Sequence, residues 1–133
     1  MDIFFQDPSE VPLPPEEMRI RALEARPWPD GQRVHIYLEV DPFQRRPSAE
    51  LIITDSAGAE VAQASIVESM TRKMEITMHL QPPHPGNMYY LHALLFFLSP
   101  PPEGEAPDPS QRLAVDRREI SFETPTNVGP DPE

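Results

Sequence analysis

Histidines and carboxylates are the residues of this sequence best suited to chemistry, because imidazole and carboxylate groups bind metals and transfer protons. The chain has four histidines and no cysteine. His35 and His79 lie in segments that alternate between apolar and polar residues, as β-strands do. If these strands pair with Val34 opposite Leu80, the two imidazoles face each other on the outer side of a sheet, close enough to share a metal. Two imidazoles without a third ligand are common on solvated sheets, so we predict no metal site.

No catalytic motif accompanies these residues in the sequence. There is no Gly-x-Ser-x-Gly elbow, no His-Glu-x-x-His helix, no phosphate-binding glycine loop and no dinucleotide fingerprint. Methionines could suggest soft-metal binding, but Met74 and Met78 fall on the core side of a predicted strand. We therefore predict a non-enzyme without a cofactor. A metal-dependent hydrolase that uses His35 and His79 is a minor alternative.

The negative charge of the chain is confined to its proline-rich parts. The formal net charge is -11 and the chain contains 19 prolines. Residues 1–17, 99–110 and 123–133 hold eleven acidic residues and no basic one, so the rest of the chain is formally neutral. Acidic, proline-rich segments are typical of solvated tails and loops. Nucleic acid is disfavoured as a partner, because phosphate binding requires clustered lysine and arginine.

The sequence shows no sign of secretion or of membrane insertion. Residues 1–8 lack the basic region and the long apolar run of a secretory signal. The longest apolar stretch, residues 89–98, is about half as long as a membrane helix. The absence of cysteine excludes disulfides, which are typical of oxidising compartments. We expect a cytoplasmic protein with no membrane partner.

The elements that position these residues are predicted to be β-strands. Proline cannot donate to a strand ladder, and four stretches without proline hold nearly all the branched and aromatic residues. The predicted strands begin near Met18, Arg33, Ala49, Glu60, Met74, Met88 and Leu113. This pattern favours an all-β fold, a seven-stranded antiparallel Greek-key β-sandwich, over a small barrel, which stays an alternative. We assign residues 1–17 to an acidic proline-rich segment, 18–124 to the β-sandwich and 125–133 to a flexible tail.

A short motif at the sixth predicted strand resembles one of a known family. The segment Pro85–Tyr89 reads Pro-Gly-Asn-Met-Tyr, and Leu91, Ala93 and Leu95 follow it. It is similar to the proline-glycine-x-x-tyrosine entry to the sixth strand of fibronectin type III domains, and the order of strands is similar as well. The resemblance implies that Tyr89 is a structural tyrosine corner, whose hydroxyl bonds to the upstream backbone. The tryptophan usual on the second strand is missing, so a generic immunoglobulin-like sandwich is equally admissible.

The second face of the sixth strand is the surface most suggestive of binding. If the odd-numbered residues 89–97 point inward, the even-numbered residues point outward beside the third strand. The outward residues form a large apolar stripe, and monomers rarely leave such a patch exposed. The predicted interface comprises Ile52, Tyr90, His92, Leu94 and Phe96.

Three partners could bury this stripe: a second copy of the chain, the N-terminal segment Ile3-Phe4-Phe5 folding back onto it, or a different protein. We favour them in that order. The predicted function is a non-catalytic structural or protein-interaction module that self-associates as a homodimer or binds another protein. A carbohydrate or small-ligand binding module is the main alternative, with Trp28, Tyr37 and Tyr90 as its aromatic material.

Overall fold

Seven antiparallel strands form two sheets that pack face to face in a computed structural model, which describes residues 11–81, 88–98, 104 and 112–124. The strands are β1 (Ile20–Pro27), β2 (Arg33–Val40), β3 (Ser48–Asp55), β4 (Glu60–Ile66), β5 (Lys73–His79), β6 (Met88–Leu98) and β7 (Arg112–Glu123). One sheet has the order β1-β2-β5 and the other the order β4-β3-β6-β7. The prediction of an all-β sandwich with seven antiparallel strands is confirmed. Within the described residues, no helix is long and apolar enough to cross a membrane.

The hydrophobic core lies between the inward faces of the two sheets, and strand alternation decides which residues enter it. Alternate residues of β2 from Val34 to Val40 are buried, as are alternate residues of β6 from Tyr89 to Phe97. Met74 and Met78 of β5 lie in the same core, which confirms their packing role. Each large apolar side chain that leaves water in this way contributes about 1.5–3 kcal/mol to stability.

The register between β2 and β5 differs from the predicted one by two residues. Val34 pairs with Met78 and not with Leu80, so His35 and His79 do not lie opposite each other. A slip of two residues leaves every side chain on its predicted face, because the side-chain period of a strand is two. Alternation therefore predicts the faces and cannot fix this register. The predicted apposition of the two imidazoles is wrong.

The hairpin between β3 and β4 forms where its turn residues predict it. Asp55 Oδ1 accepts hydrogen bonds from the N–H groups of Ala57 and Ala59, both at 2.9 Å. Gly58 has φ +87°, a left-handed conformation that residues with a Cβ rarely adopt. The Asp-Ser-Ala-Gly sequence thus directs the chain from β3 into its neighbour.

The chain ahead of β1 lies against the connection between β2 and β3. The Leu13 N–H donates to the Pro42 carbonyl at 2.9 Å, and the Leu13 carbonyl accepts from the Gln44 N–H at 3.0 Å. A 3-10 turn, Pro15–Glu17, follows, and Met18 is fully buried. Residues 11–17 of the predicted acidic segment therefore contact the sandwich, whereas its residues 1–10 and the predicted tail 125–133 lie outside the described residues.

Side chains of β7 join the two sheets at one edge. Asp116 Oδ2 accepts a hydrogen bond from the Ile20 N–H at 2.8 Å, and the Arg118 guanidinium donates to the Ile20 carbonyl at 2.9 Å. The ladder of β1 is irregular between Ile20 and Ala22, and the ladder between β6 and β7 has a second irregularity. Bulges of this kind bend edge strands and re-aim their polar groups. We call the contact of Ile20, Asp116 and Arg118 the edge clasp.

Replacing Asp116 with alanine is expected to lower the free energy of unfolding by about 1–3 kcal/mol, because the N–H of buried Ile20 loses its acceptor. Asp116→Asn keeps an acceptor oxygen and should lose less. Urea unfolding measures both changes. Glu60→Ala is the matched control, since Glu60 is exposed and its side chain has no partner in the described part of the chain. Equal losses for Asp116→Ala and Glu60→Ala would contradict the role of the clasp.

Candidate functional site

The outward side of the β4-β3-β6-β7 sheet brings together the residues predicted to form an interface. We call this surface the four-stranded outer face and define it by Gln63 and Ser65 of β4, Glu50, Ile52 and Thr54 of β3, Met88, Tyr90, His92, Leu94, Phe96 and Leu98 of β6, and Arg112, Ala114, Arg117, Glu119, Ser121 and Glu123 of β7. The even-numbered residues of β6 lie on it, as predicted from alternation. The use of this face as an interface stays a prediction.

The centre of the four-stranded outer face is apolar. Ile52 of β3 pairs with His92 of β6, and Leu94 is the next outward residue of β6. Both Ile52 and Leu94 keep part of their surface exposed. Phe96 is only 6% exposed, because the Arg112 guanidinium lies over its ring at 4.7 Å from the centroid. Of the predicted interface residues, Phe96 therefore packs within the chain, and Ile52 and Leu94 supply the accessible apolar surface.

Charged and polar side chains flank this apolar centre. Arg112 donates to Glu50 at 3.3 Å, and Gln63 donates to the other Glu50 oxygen at 3.2 Å. An ion pair this accessible to water contributes about 0–1 kcal/mol. Arg112 and Glu50 can therefore exchange partners at small cost when another molecule approaches the face.

His92 lies at the middle of this face between two polar neighbours. Its Nε2 is 3.0 Å from Thr54 Oγ1, and its Nδ1 is 3.5 Å from Glu119 Oε1. Hydroxyl, imidazole and carboxylate follow each other in the order of a Ser-His-Asp triad. The backbone N–H groups of β3 and β6 belong to ladders on both sides, so they cannot serve as oxyanion donors for a reaction at Thr54. The contact orients the imidazole and links three strands.

A shallow groove of about 590 Å³ crosses the four-stranded outer face. Ile52 and Leu94 form its apolar floor, and Arg112, Arg117 and Glu119 are among the charged residues that line it. Pockets for small molecules enclose most of the ligand surface, whereas this groove lies on the open side of a sheet. Its chemistry suits an apolar surface surrounded by charges of both signs.

The outward side of the β1-β2-β5 sheet is polar and lacks such a centre. Tyr37 donates to Glu39 at 2.6 Å, and Arg72 donates to the same carboxylate at 2.9 Å. His35 contacts Glu75 at 3.0 Å. Among the described residues, no cluster of three or more His, Cys, Asp or Glu side chains could hold a metal ion. This side has the character of a solvated sheet surface.

The remaining predicted residues are spread over the molecule. Tyr89 is fully buried and stacks on Phe122 at 5.7 Å between ring centroids. The upstream loop that its hydroxyl would contact, residues 82–87 with His84, lies outside the described residues, so the tyrosine corner stays a prediction. Trp28 lies in the turn after β1, where the Arg33 guanidinium covers its ring at 3.9 Å. Trp28 therefore shares no platform with Tyr37 or Tyr90, which lie on opposite sheets.

The charges that β7 adds to this surface were not predicted from the sequence. Arg112, Arg117 and Glu119 reach the four-stranded outer face because β7 pairs with β6 along its whole length. The alternation of the last strand placed Arg117 and Glu119 on one side, which was the available signal. Alternation could not show that β6 lies beside these residues, because the pairing of β6 with β7 joins residues far apart in the chain.

No family model and no curated protein sequence matches this chain. Among solved structures, it is similar to a β-glucuronidase of glycoside hydrolase family 2 (15% identity, TM-score 0.53), to a family 2 glycosyl hydrolase from Bacteroides cellulosilyticus DSM 14838 (12%, 0.52) and to a Bifidobacterium dentium β-glucuronidase complexed with coumarin-3-O-glucuronide (16%, 0.53). Each similarity covers 80% of this chain but only 12%, 15% and 18% of those chains, respectively. At this identity the likeness supports the β-sandwich fold alone.

The contact between Tyr37 and Glu39 predicts an acid-dependent contribution to stability. The Tyr37 hydroxyl, helped by Arg72, lowers the pKa of the Glu39 carboxyl below its ordinary value of 4.5. A lowered folded-state pKa stabilises the protein above that ordinary value, and the stabilisation is lost as pH falls through the folded-state pKa. Tyr37→Phe removes the main cause, so we expect the pKa of Glu39 to rise toward 4.5.

Carboxyl-carbon NMR titration measures this pKa, and urea unfolding at neutral pH and about pH 3 measures the stability difference. We expect Tyr37→Phe to lose less stability between the two pH values than the wild type. Tyr90→Phe is the matched control on the other sheet and should leave Glu39 unchanged. An unaltered Glu39 titration in Tyr37→Phe would refute the assignment.

Proposed function

We propose that this chain is a non-catalytic protein-interaction module, a β-sandwich of the fibronectin type III-like kind that docks through the four-stranded outer face. The observation that carries the proposal is the accessible apolar pair Ile52 and Leu94, surrounded by charges of both signs. Protein interfaces have this anatomy, with an apolar core and a polar rim that excludes water from it.

The pairing of the fourth strand supports the fibronectin type III-like assignment. In constant-type immunoglobulin domains the fourth strand joins the sheet of the first, second and fifth strands. Here β4 pairs with β3, in the sheet that also contains β6 and β7. The burial of Tyr89 near the start of β6 also supports this assignment.

The surroundings of His92 support a module without catalysis. Thr54 and Glu119 flank its imidazole, but the contact lies on the open side of a sheet whose central N–H groups are paired. In the part of the chain that the structure describes, no water-excluding cavity surrounds this contact to strengthen charge interactions. We expect no hydrolysis of p-nitrophenyl esters above the rate in buffer. Ester hydrolysis that His92→Ala abolishes would overturn the non-catalytic assignment.

A carbohydrate-related module is the second candidate, because the solved structures with a similar fold are glycoside hydrolases of family 2. The Arg, Glu and His side chains of the groove could hydrogen-bond hydroxyl groups. Thermal-shift measurements with glucuronate and with neutral sugars distinguish the candidates. A rise in melting temperature with a sugar that Arg117→Ala abolishes would favour the second candidate.

Leu94→Arg is expected to remove docking, because it places a charge at the apolar centre of the face. The measurement is a pull-down in which the tagged chain retains proteins from the source organism's lysate. Untagged purified chain is added to the lysate, so that a second copy of the chain can also be retained. Each retained protein is then purified and its binding to the tagged chain is measured again. We expect at least one partner to be held at near-equal molar amount by the wild type and to lose about tenfold or more affinity for Leu94→Arg.

Val11→Arg is the matched control, since Val11 is 52% exposed and lies beside Arg21 and Glu39 of the β1-β2-β5 sheet, away from the four-stranded outer face. Phe96→Arg is unsuitable, because Phe96 is buried beneath Arg112 and its loss would disturb the fold itself. All variants are first shown to unfold cooperatively. A partner that binds Leu94→Arg and the wild type equally well would refute this face as the docking surface.

A further inference from the structure

The charges of β7 on the four-stranded outer face follow a two-part order. Arg112 and Arg117 come first along the strand, and Glu119 and Glu123 follow. A strand with both positive charges in one half and both negative charges in the other matches a second copy of itself when the two strands run in opposite directions.

The ladder between β6 and β7 shows that this match is also geometric. Arg118 pairs with Ala93, and Arg117 and Glu119 lie one residue to either side of that pair. Arg112 lies opposite Leu98 and Glu123 opposite Met88, so each is five ladder steps from Ala93 along β6. The irregularity between Leu95 and Phe96 is what equalises these two distances, because Arg112 and Glu123 are not equally far from Arg118 in sequence.

The same row of the sheet is a centre of near-symmetry for β6. Leu94, Phe96 and Leu98 lie on one side of Ala93. His92, Tyr90 and Met88 lie at the matching positions on the other side, which gives an aromatic residue at the second position in both directions and an apolar residue at the third. After a two-fold rotation about this row, the apolar residues of one copy of β6 therefore lie opposite apolar residues of a second copy.

We propose that the partner of this face is a second copy of the chain, bound through an isologous interface. The two-fold axis lies in the interface plane and perpendicular to the strands. It runs above the row of the sheet that contains Ala93 and Arg118. Arg117 then meets the partner's Glu119, and Arg112 meets the partner's Glu123, each contact occurring twice. Leu94, which is accessible, lies against the partner's His92 in the same arrangement. The inference rests on the proposed function, since it names the occupant of the same surface.

The charges within one chain are available for these contacts. In the described part of the chain, the side chains of Arg117 and Glu123 have no ion-pair or hydrogen-bond partner. Among the described residues, Glu119 approaches His92 alone, at 3.5 Å. Arg112 has to exchange its contact with Glu50, at 3.3 Å, for the partner's Glu123. Four ion pairs around an apolar centre give the complementarity that an interface with a polar rim requires.

The position of Val11 favours a second copy over the N-terminal segment as the occupant. Val11 is the first described residue, and it lines a groove with Arg21, Glu39 and Arg72. Arg21 and Glu39 belong to the β1-β2-β5 sheet, so the described chain begins on the side of the molecule away from Leu94.

The test uses opposite charge reversals that should each prevent dimers and together restore them. In Arg117→Glu, two acidic side chains meet at each contact, and in Glu119→Arg two basic ones meet. A mixture of the two variants forms a heterodimer in which every one of these contacts joins opposite charges. Sedimentation equilibrium should give twice the 15.1 kDa chain mass for the wild type. We expect the dissociation constant to rise about tenfold or more for each variant and to return toward the wild-type value in the mixture.

Arg26→Glu is the matched control, because Arg26 is an exposed arginine of the other sheet that pairs with Glu24. It should dimerise as the wild type does. A wild type that stays monomeric up to its solubility limit overturns the inference, as does a dimer that is indifferent to both reversals or a mixture that stays monomeric. If the wild type is monomeric but binds a different protein that Leu94→Arg no longer binds, only this inference fails. If the wild type binds neither a second copy nor another protein, the proposed function fails as well.

Discussion

Strand β6 is apolar on both of its faces, and the rest of the structure is arranged around the need to cover them. Its inner residues, from Tyr89 to Phe97, are buried against the opposite sheet. In the described part of the chain, its outer residues lie beside β3 and β7 of their own sheet. A strand with this composition is stable only at the centre of a sheet, since an edge position would expose it to pairing with other chains. The central place of β6, between β3 and β7, follows from this composition.

The last strand, β7, uses its two sides for different tasks. Its inward side carries Asp116 and Arg118, which satisfy the polar groups of Ile20 and close one edge of the sandwich. Charged residues that point inward also protect an edge strand from pairing with a foreign strand. Its outward side carries Arg117 and Glu119 beside the apolar centre. The bulge opposite Leu95 and Phe96 puts Arg112 on the same outward side as Arg117, although the two residues are an odd number of positions apart.

Local pattern predicted most of the fold and less of the site. The start of β2 and the faces of its residues could be read from alternation, because burial of one side imposes a period of two. Strand β6 is apolar on both faces, so its own pattern left open which residues point inward. The register of β2 on β5 could not be read from alternation, because a slip of two residues from Val34 opposite Leu80 to Val34 opposite Met78 changes no face. The burial of Phe96 under Arg112 and the contact of Asp116 with Ile20 depend on residues distant in sequence, for which a single sequence carries no signal.

The edge clasp has a mechanical consequence, because Ile20 belongs to the first strand and Asp116 and Arg118 belong to the last. When the two ends of the sandwich are pulled apart, tension reaches this junction directly. The junction contains two hydrogen bonds from side chains, whereas neighbouring strands within each sheet are joined by long backbone ladders. Force would therefore separate the first and last strands from each other before it disrupted either sheet.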